Sequence, residues 1–213
     1  MASIRIIGTS HISPQSARKV KEIIRKEKPD CVTVELCPER FWALRRGYER
    51  PKLSAGLTHY LLGIIQQHLG NMTGVLPGTE MMKAAEAGQE VGAKVVLIDK
   101  DIHEIMDGIA RVSAWEKFRL FGKLFVSLLV APFSHGAKID LRKVPPERVV
   151  DQAMEEMKRD MPGFYRVLVT DRNEYMAGWI KRLGKDYNKI IVVVGAGHKK
   201  GLKRLLGMKN VKD

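Results

Sequence analysis

Two short apolar strands in this chain each run directly into a Gly-x-x-His turn. The first is Ile4-Arg5-Ile6-Ile7-Gly8-Thr9-Ser10-His11, and the second is Ile190-Ile191-Val192-Val193-Val194-Gly195-Ala196-Gly197-His198. Side chains just past the carboxyl ends of parallel strands face a common crevice in α/β sheets. Two strands aligned in the same sense would therefore bring His11 and His198 to one mouth from opposite ends of the polypeptide. That is how a metal or catalytic site is assembled from distant sequence.

The rest of the chain supports an α/β pattern: a small, mainly parallel sheet surrounded by many helices, with the site at the C-terminal ends of the strands. Ser13 and Pro14 start a helix as N-cap and first-turn proline, and Ala17, Val20, Ile23 and Ile24 supply its buried stripe. Cys31 to Cys37 reads as a second strand and Lys94 to Ile98 as a third, ended by Asp99-Lys100-Asp101. Helical patterns cover Pro38 to Gly47, Leu57 to Leu69, and a stretch opened by Pro77-Gly78 that runs to Val91. Helices then dominate until Ile190, and a last one runs from Lys199 to Leu206. A chain of 213 residues that is 45% hydrophobic suffices for one substantial core, so a single domain over 1–213 is expected.

Composition narrows the partners. The net charge of +13 favours anionic surfaces or acidic substrates through its long-range field. Much of it lies on amphipathic helices such as Ala17 to Lys28, where Lys and Arg alternate with Glu. The basic tail Lys199 to Lys212 lacks interleaved aromatics that could stack on bases, so nucleic acid is disfavoured. Cys31 and Cys37 fit neither a zinc ribbon nor a redox dithiol and are expected to be reduced and buried. Ile4 to Ile7 is too short for a signal-peptide core, and cytoplasmic residence is expected. The apolar run Phe118 to Phe133 is interrupted by Arg119 and Lys123 and is shorter than the roughly 20 residues needed to span a bilayer. It reads as a core helix or a cover over the site, with peripheral membrane contact left open.

Glu35 lies in the apolar run Val32-Thr33-Val34-Glu35-Leu36. A buried ionised carboxylate there needs a cation, a metal or several donors, and an ion pair with Arg40 is the simplest solution. His11, Glu35 and His198 together would make a two-histidine, one-carboxylate set suited to a divalent ion that keeps positions open for water and substrate. Taken alone, each histidine reads better as a helix-start residue bonding local backbone, and it is the matched pair that points to a site. Two other motifs compete weakly. Gly195-Ala196-Gly197 approaches a dinucleotide fingerprint, but its third glycine falls at Gly201, one residue late. His103-Glu104-Ile105-Met106-Asp107 approaches a zinc-protease helix, but Asp107 replaces the second histidine. His59 and His68 lie on a helical stretch without ligand spacing, and His135 sits in a loop-like region.

The ordered series Gly8-Thr9-Ser10-His11, Val34-Glu35-Leu36-Cys37-Pro38-Glu39-Arg40, Pro77-Gly78-Thr79-Glu80-Met81, Leu97-Ile98-Asp99-Lys100-Asp101, Asp171-Arg172-Asn173-Glu174-Tyr175-Met176-Ala177 and Val194-Gly195-Ala196-Gly197-His198 resembles the TraB/PrgY family. That family is related to the Tiki proteases and the wider EreA/ChaN-like group. The resemblance implies an EreA/ChaN-like α/β fold and, from the Tiki side, metal-dependent peptide cleavage with manganese or cobalt favoured and zinc admissible. Gly8, His11, Glu35, Gly195 and His198 match its characteristic motif positions. PrgY-like members are associated with shutting down peptide pheromone signals. Many archaeal and bacterial relatives carry a membrane-spanning C-terminal region, which is not expected in this chain. Lys100 stands where Arg is common and Asp171 where Glu is common; both keep charge, although Lys cannot form a bidentate guanidinium contact.

The expected reading is a metal-dependent hydrolase acting on peptides, with His11, Glu35 and His198 as ligands and Glu80, Arg172 and Asn173 as catalytic residues. Gly8, Arg40, Asp99, Gly195 and Gly197 are the expected substrate-binding set. Arg172 would assist a developing oxyanion, Asn173 would orient substrate or ligand, and Glu80 would act as base or orient another group. Asp171 and Glu174 are equally explained as a capping box at the start of a helix whose inward stripe is Tyr175, Met176, Trp179, Ile180 and Leu183. A peptide-binding regulator without turnover, a metal-free hydrolase using histidine as base, and homo-oligomerisation stay open.

Overall fold

The computed structural model of the protein describes residues 2–9, 14–46, 78–130 and 146–208. His11, His59, His68, His135, the expected helix Leu57 to Leu69 and the end of the basic tail lie outside the described residues.

Four parallel strands form one sheet in the order β1-β4-β2-β3: β1 Ser3–Thr9, β2 Cys31–Val34, β3 Lys94–Leu97 and β4 Lys189–Gly195. The expected α/β class with a small parallel sheet is therefore what the chain adopts. The register aligns the carboxyl ends: Thr9 pairs with Gly195, Val34 with Val193, and Val34 with Leu97. Everything that follows these strands in sequence consequently emerges along one edge of the sheet.

Helices cover both faces. Helix α1 is Pro14–Glu27 and α2 is Pro38–Arg46; α3 is Thr79–Glu90, α4 Ile102–Arg111, α5 Ala114–Val130 and α6 Glu147–Asp160. A short α7, Pro162–Tyr165, passes through a π-helical turn, Arg166–Thr170, into α8, Asp171–Asp186; α9 is Ala196–Leu205. Strand β4 explains the layering. Ile190, Val192 and Val194 pack with Met176, Ala177 and Ile180 of α8 and Leu202 of α9. Ile191 and Val193 point to the opposite side, among Val20 and Ile24 of α1 and Met81, Ala84 and Ala85 of α3. A central strand covered on both faces has no polar side, which is why it reads as an unbroken apolar run.

Several expected boundaries shift, each for a local reason. Strand β2 ends at Val34 rather than at Cys37, because Leu36 N–H donates to Val34 O at 2.8 Å and the chain turns at Glu35. Helix α9 begins at Ala196 rather than Lys199, so His198 sits in its first turn. Arg172 and Asn173 do not open a helix, since the chain is already helical from Pro162 through the π turn. The capping box of Asp171 and Glu174 accordingly does not form: Thr170 precedes α8 in helical conformation, without a side-chain cap. Tyr175 is 39% exposed and leaves the inward stripe, and Asn173 occupies a buried place instead. The expected core helix over Phe118 to Phe133 fails in its described part, where Phe118 and Phe121 are 69% and 59% exposed.

Helix α5 is nevertheless anchored. Glu116 accepts from the Gly163 and Phe164 amides at the start of α7, at 2.9 and 3.3 Å. Both cysteines are free and buried, as expected, and burial pushes the Cys31 thiol up to about 11. No helix among the described residues is long and apolar enough to cross a membrane.

Candidate functional site

The site gathers where β2, β3 and β4 end. Glu35, one residue past β2, has a side chain only 3% exposed. Its backbone N–H still bonds Val193 O on β4, which holds it beside Gly195. There its Oε2 accepts from the Gly195 N–H at 2.6 Å, and its Oε1 accepts from Arg172 Nη2 at 2.5 Å.

Arg172 is the hub. Its Nε and Nη2 donate to the two oxygens of Asp99 at 2.9 and 2.8 Å, and Nη1 donates to Leu168 O at 3.2 Å. Four of its roughly five N–H donors are thus used, so little remains for an oxyanion. Burial works against the charged guanidinium, but the Glu35 and Asp99 carboxylates outweigh it and hold its pKa above the ordinary arginine value. Asp99, at the end of β3, is fully buried behind Arg172, and Arg40 of α2 approaches its Oδ2 at 3.6 Å. The expected Glu35–Arg40 pair is therefore replaced: Arg172 takes Glu35, and Arg40 takes Asp99.

His198 completes the cluster. Its Nδ1 lies 2.8 Å from Asn173 Oδ1, and its Nε2 lies 3.3 Å from Glu35 Oε1. Because an amide oxygen only accepts, Nδ1 carries a hydrogen. Nε2 is then the nitrogen that faces Glu35 Oε1, the oxygen that also accepts from Arg172, and either a proton or a metal ion would join the two.

Glu35, Asp99, Arg172, Asn173, Gly195, His198 and Arg40 thus form one connected network. Other candidates sit elsewhere or differently. Glu80 is 2% exposed in the first turn of α3, and its Oε2 accepts from the Gly78 amide at 3.2 Å. Gly78 has φ of 97°, and a Cβ there would meet Leu44 Cδ1 at 2.9 Å, so glycine is required to start this helix. Gly8 pairs with Val194 in the sheet, whereas Gly197 packs against Met154 of α6. The bidentate Arg172–Asp99 contact was not read from the sequence. Its only signal was an aspartate at a strand end together with an arginine next to a buried helix stripe.

Residues 2–212 match the TraB/PrgY/gumN family. The chain belongs to that family. It is 31% identical over 215 residues to an uncharacterized protein of Methanocaldococcus jannaschii, covering 95% of this chain and 53% of that protein. It is 27% identical to a human TraB domain-containing protein and 26% identical to a bovine one, covering 94% of this chain and 62% of each relative. The chain thus spans about half to three-fifths of the length of these TraB-family relatives.

Proposed function

We propose that this TraB-family chain is a metal-dependent hydrolase that cleaves peptide bonds. The observation carrying the proposal is the 3.3 Å approach of His198 Nε2 to Glu35 Oε1 while Nδ1 is committed to Asn173. A ligating histidine with its second nitrogen held by an acceptor is the usual arrangement around a catalytic ion. His198 and Glu35 would hold a manganese or cobalt ion, zinc being admissible, together with His11, which lies outside the described residues. Such an ion, when bound, supplies Lewis acidity that activates water and polarises a carbonyl. The choice of a peptide rests on the resemblance to Tiki-like proteases.

The chain's own residues prepare the site. Arg172 neutralises Glu35 and fixes its Oε1, and the Gly195 amide fixes its Oε2. Asp99 in turn holds Arg172 on two edges. Arg172 is accordingly a positioning residue for Glu35. Arg40, with a side chain 30% exposed and a 3.6 Å approach to Asp99, would offer a cation to an acidic group on a substrate.

A second reading has the same contact in its favour. A proton on Nε2 would satisfy the 3.3 Å approach without an ion, making His198 and Glu35 an acid–base pair. Chelator-stripped protein titrated with manganese, cobalt and zinc separates the two, using wild type, His11→Ala, His198→Ala and Glu35→Gln with a peptide library as substrate. Stoichiometric binding lost in all three variants, with cleavage restored by metal, is the expected result. Cleavage indifferent to chelation would favour the proton, and binding of peptide without cleavage under any metal would favour a regulator.

A further inference from the structure

Gly201 enters the sequence only as a glycine out of step with a nucleotide-binding fingerprint, and nothing in the proposed chemistry uses it. Its surroundings give it a different role. It lies on α9, one turn beyond His198, and faces Asn173 of α8. A Cβ at Gly201 would lie 2.3 Å from Asn173 Nδ2 and 3.2 Å from its Cγ. The first distance is far inside van der Waals contact, so Asn173 would have to move by about 1 Å or more. Asn173 is 5% exposed and has no solvent to move into. Its arm is short, and its Oδ1 makes the 2.8 Å contact with His198 Nδ1. A displacement of that size takes the pair out of hydrogen-bonding range.

We propose that Gly201 is a positioning residue. By carrying no side chain it admits the Asn173 amide between α8 and α9, which locks His198 with Nδ1 protonated and Nε2 turned to Glu35. Asn173 acts through His198 in this arrangement, and Gly201 acts through Asn173. A single hydrogen in place of a methyl group thus selects which ring nitrogen the site presents. The inference concerns the same histidine as the proposed hydrolase, but its primary readout needs no metal.

The test uses the full chain, labelled with 15N-histidine and stripped of metal, at alkaline pH. Two-bond 15N–1H spectra report which nitrogen carries the hydrogen. Wild type and Asn173→Asp, which keeps an acceptor oxygen, are expected to show protonated Nδ1. Gly201→Ala and Asn173→Leu are expected to lose that tautomer while keeping the fold. Manganese affinity should fall by about 10–100-fold in each, and the double variant Gly201→Ala/Asn173→Leu should fall no further than either single one. A folded Gly201→Ala that keeps protonated Nδ1 overturns the proposal. If Gly201→Ala fails to fold, trimming the amide in Gly201→Ala/Asn173→Ala should restore folding, and its failure to do so also overturns it. A tautomer that responds as expected in a wild type that binds no metal supports this inference while refuting the metal reading of the site.

Discussion

Among the described residues, two clusters of histidine and carboxylate have similar donors and opposite settings. In one, Glu35 and His198 have side chains 3% and 8% exposed. In the other, Glu39, Asp101 and His103 bring their ligand atoms within 4.8 Å of one another, with Glu39 and His103 50% and 71% exposed. Each donor of the first cluster is fixed by a neighbour from another element: Gly195, Arg172 or Asn173. In the second, Asp101 already caps α4 by accepting from His103 N–H at 2.7 Å. Donor type alone therefore does not make a site. Burial and prior fixing of each donor distinguish the first cluster, and only that one is built into the strand ends.

The sharpest way to break this comparison is to remove the hub. Arg172→Met leaves Glu35 and Asp99 buried without their main counter-charge, and urea unfolding should show a loss of about 3–5 kcal/mol. A loss below about 1 kcal/mol, within the range of exposed pairs, would mean that the network is not held as a buried one.

A smaller effect comes from exchanging the clusters' donors. His198→Ala should reduce manganese affinity by about 100-fold or more. The triple variant Glu39→Gln/Asp101→Asn/His103→Ala should change it by no more than roughly twofold, about 0.4 kcal/mol. Calorimetric titration of both variants decides the matter, and the reverse order of effects would make the surface cluster the ion site.

The smallest effect sharpens the contrast between buried and exposed charge. Glu27, at the end of α1, is partly desolvated, but its hydrogen bonds to Lys189 and Arg5 outweigh this and lower its pKa below the ordinary 4.5. The unfolded chain then binds this proton more tightly than the folded one. The stabilisation by Glu27 is fully present above pH 4.5 and is lost as pH falls through the lowered folded value. The difference in urea midpoint between wild type and Glu27→Gln should shrink on acidification through that window, and a pH-independent difference would contradict the assignment.

Much of the architecture was legible because it rests on short-range signals. The unbroken apolar run Ile190 to Val194 announced a strand, and Ala17, Val20 and Ile24 marked the buried side of α1. Pro14, Pro38 and Gly78 placed helix starts through backbone geometry alone. His198 was recognisable as a site candidate because it follows a strand, and Glu35 because it puts a carboxylate inside an apolar strand run. What misled was equally specific. Asp171 and Glu174 look like a capping box, but the capping residue must itself be non-helical, and Asp171 continues the helix out of the π turn. Likewise, Arg40 is five residues from Glu35, yet the turn at Glu35 and the course of α2 deliver its guanidinium to Asp99 instead.

By itself, then, the sequence determined the parallel α/β class, the strands whose ends bear the candidate site, and membership of the family through its ordered motifs. These follow from hydrophobic periodicity and backbone preference, which act over a few residues. Only the tertiary structure decided that Glu35 pairs with Arg172, 137 positions away, that Asp99 supports that pair, and that Asn173 turns His198. Such pairings depend on strand order, register and helix phase. Charge and hydrogen-bond partners are chosen by distance in space after the core has closed, and local sequence carries no record of that distance.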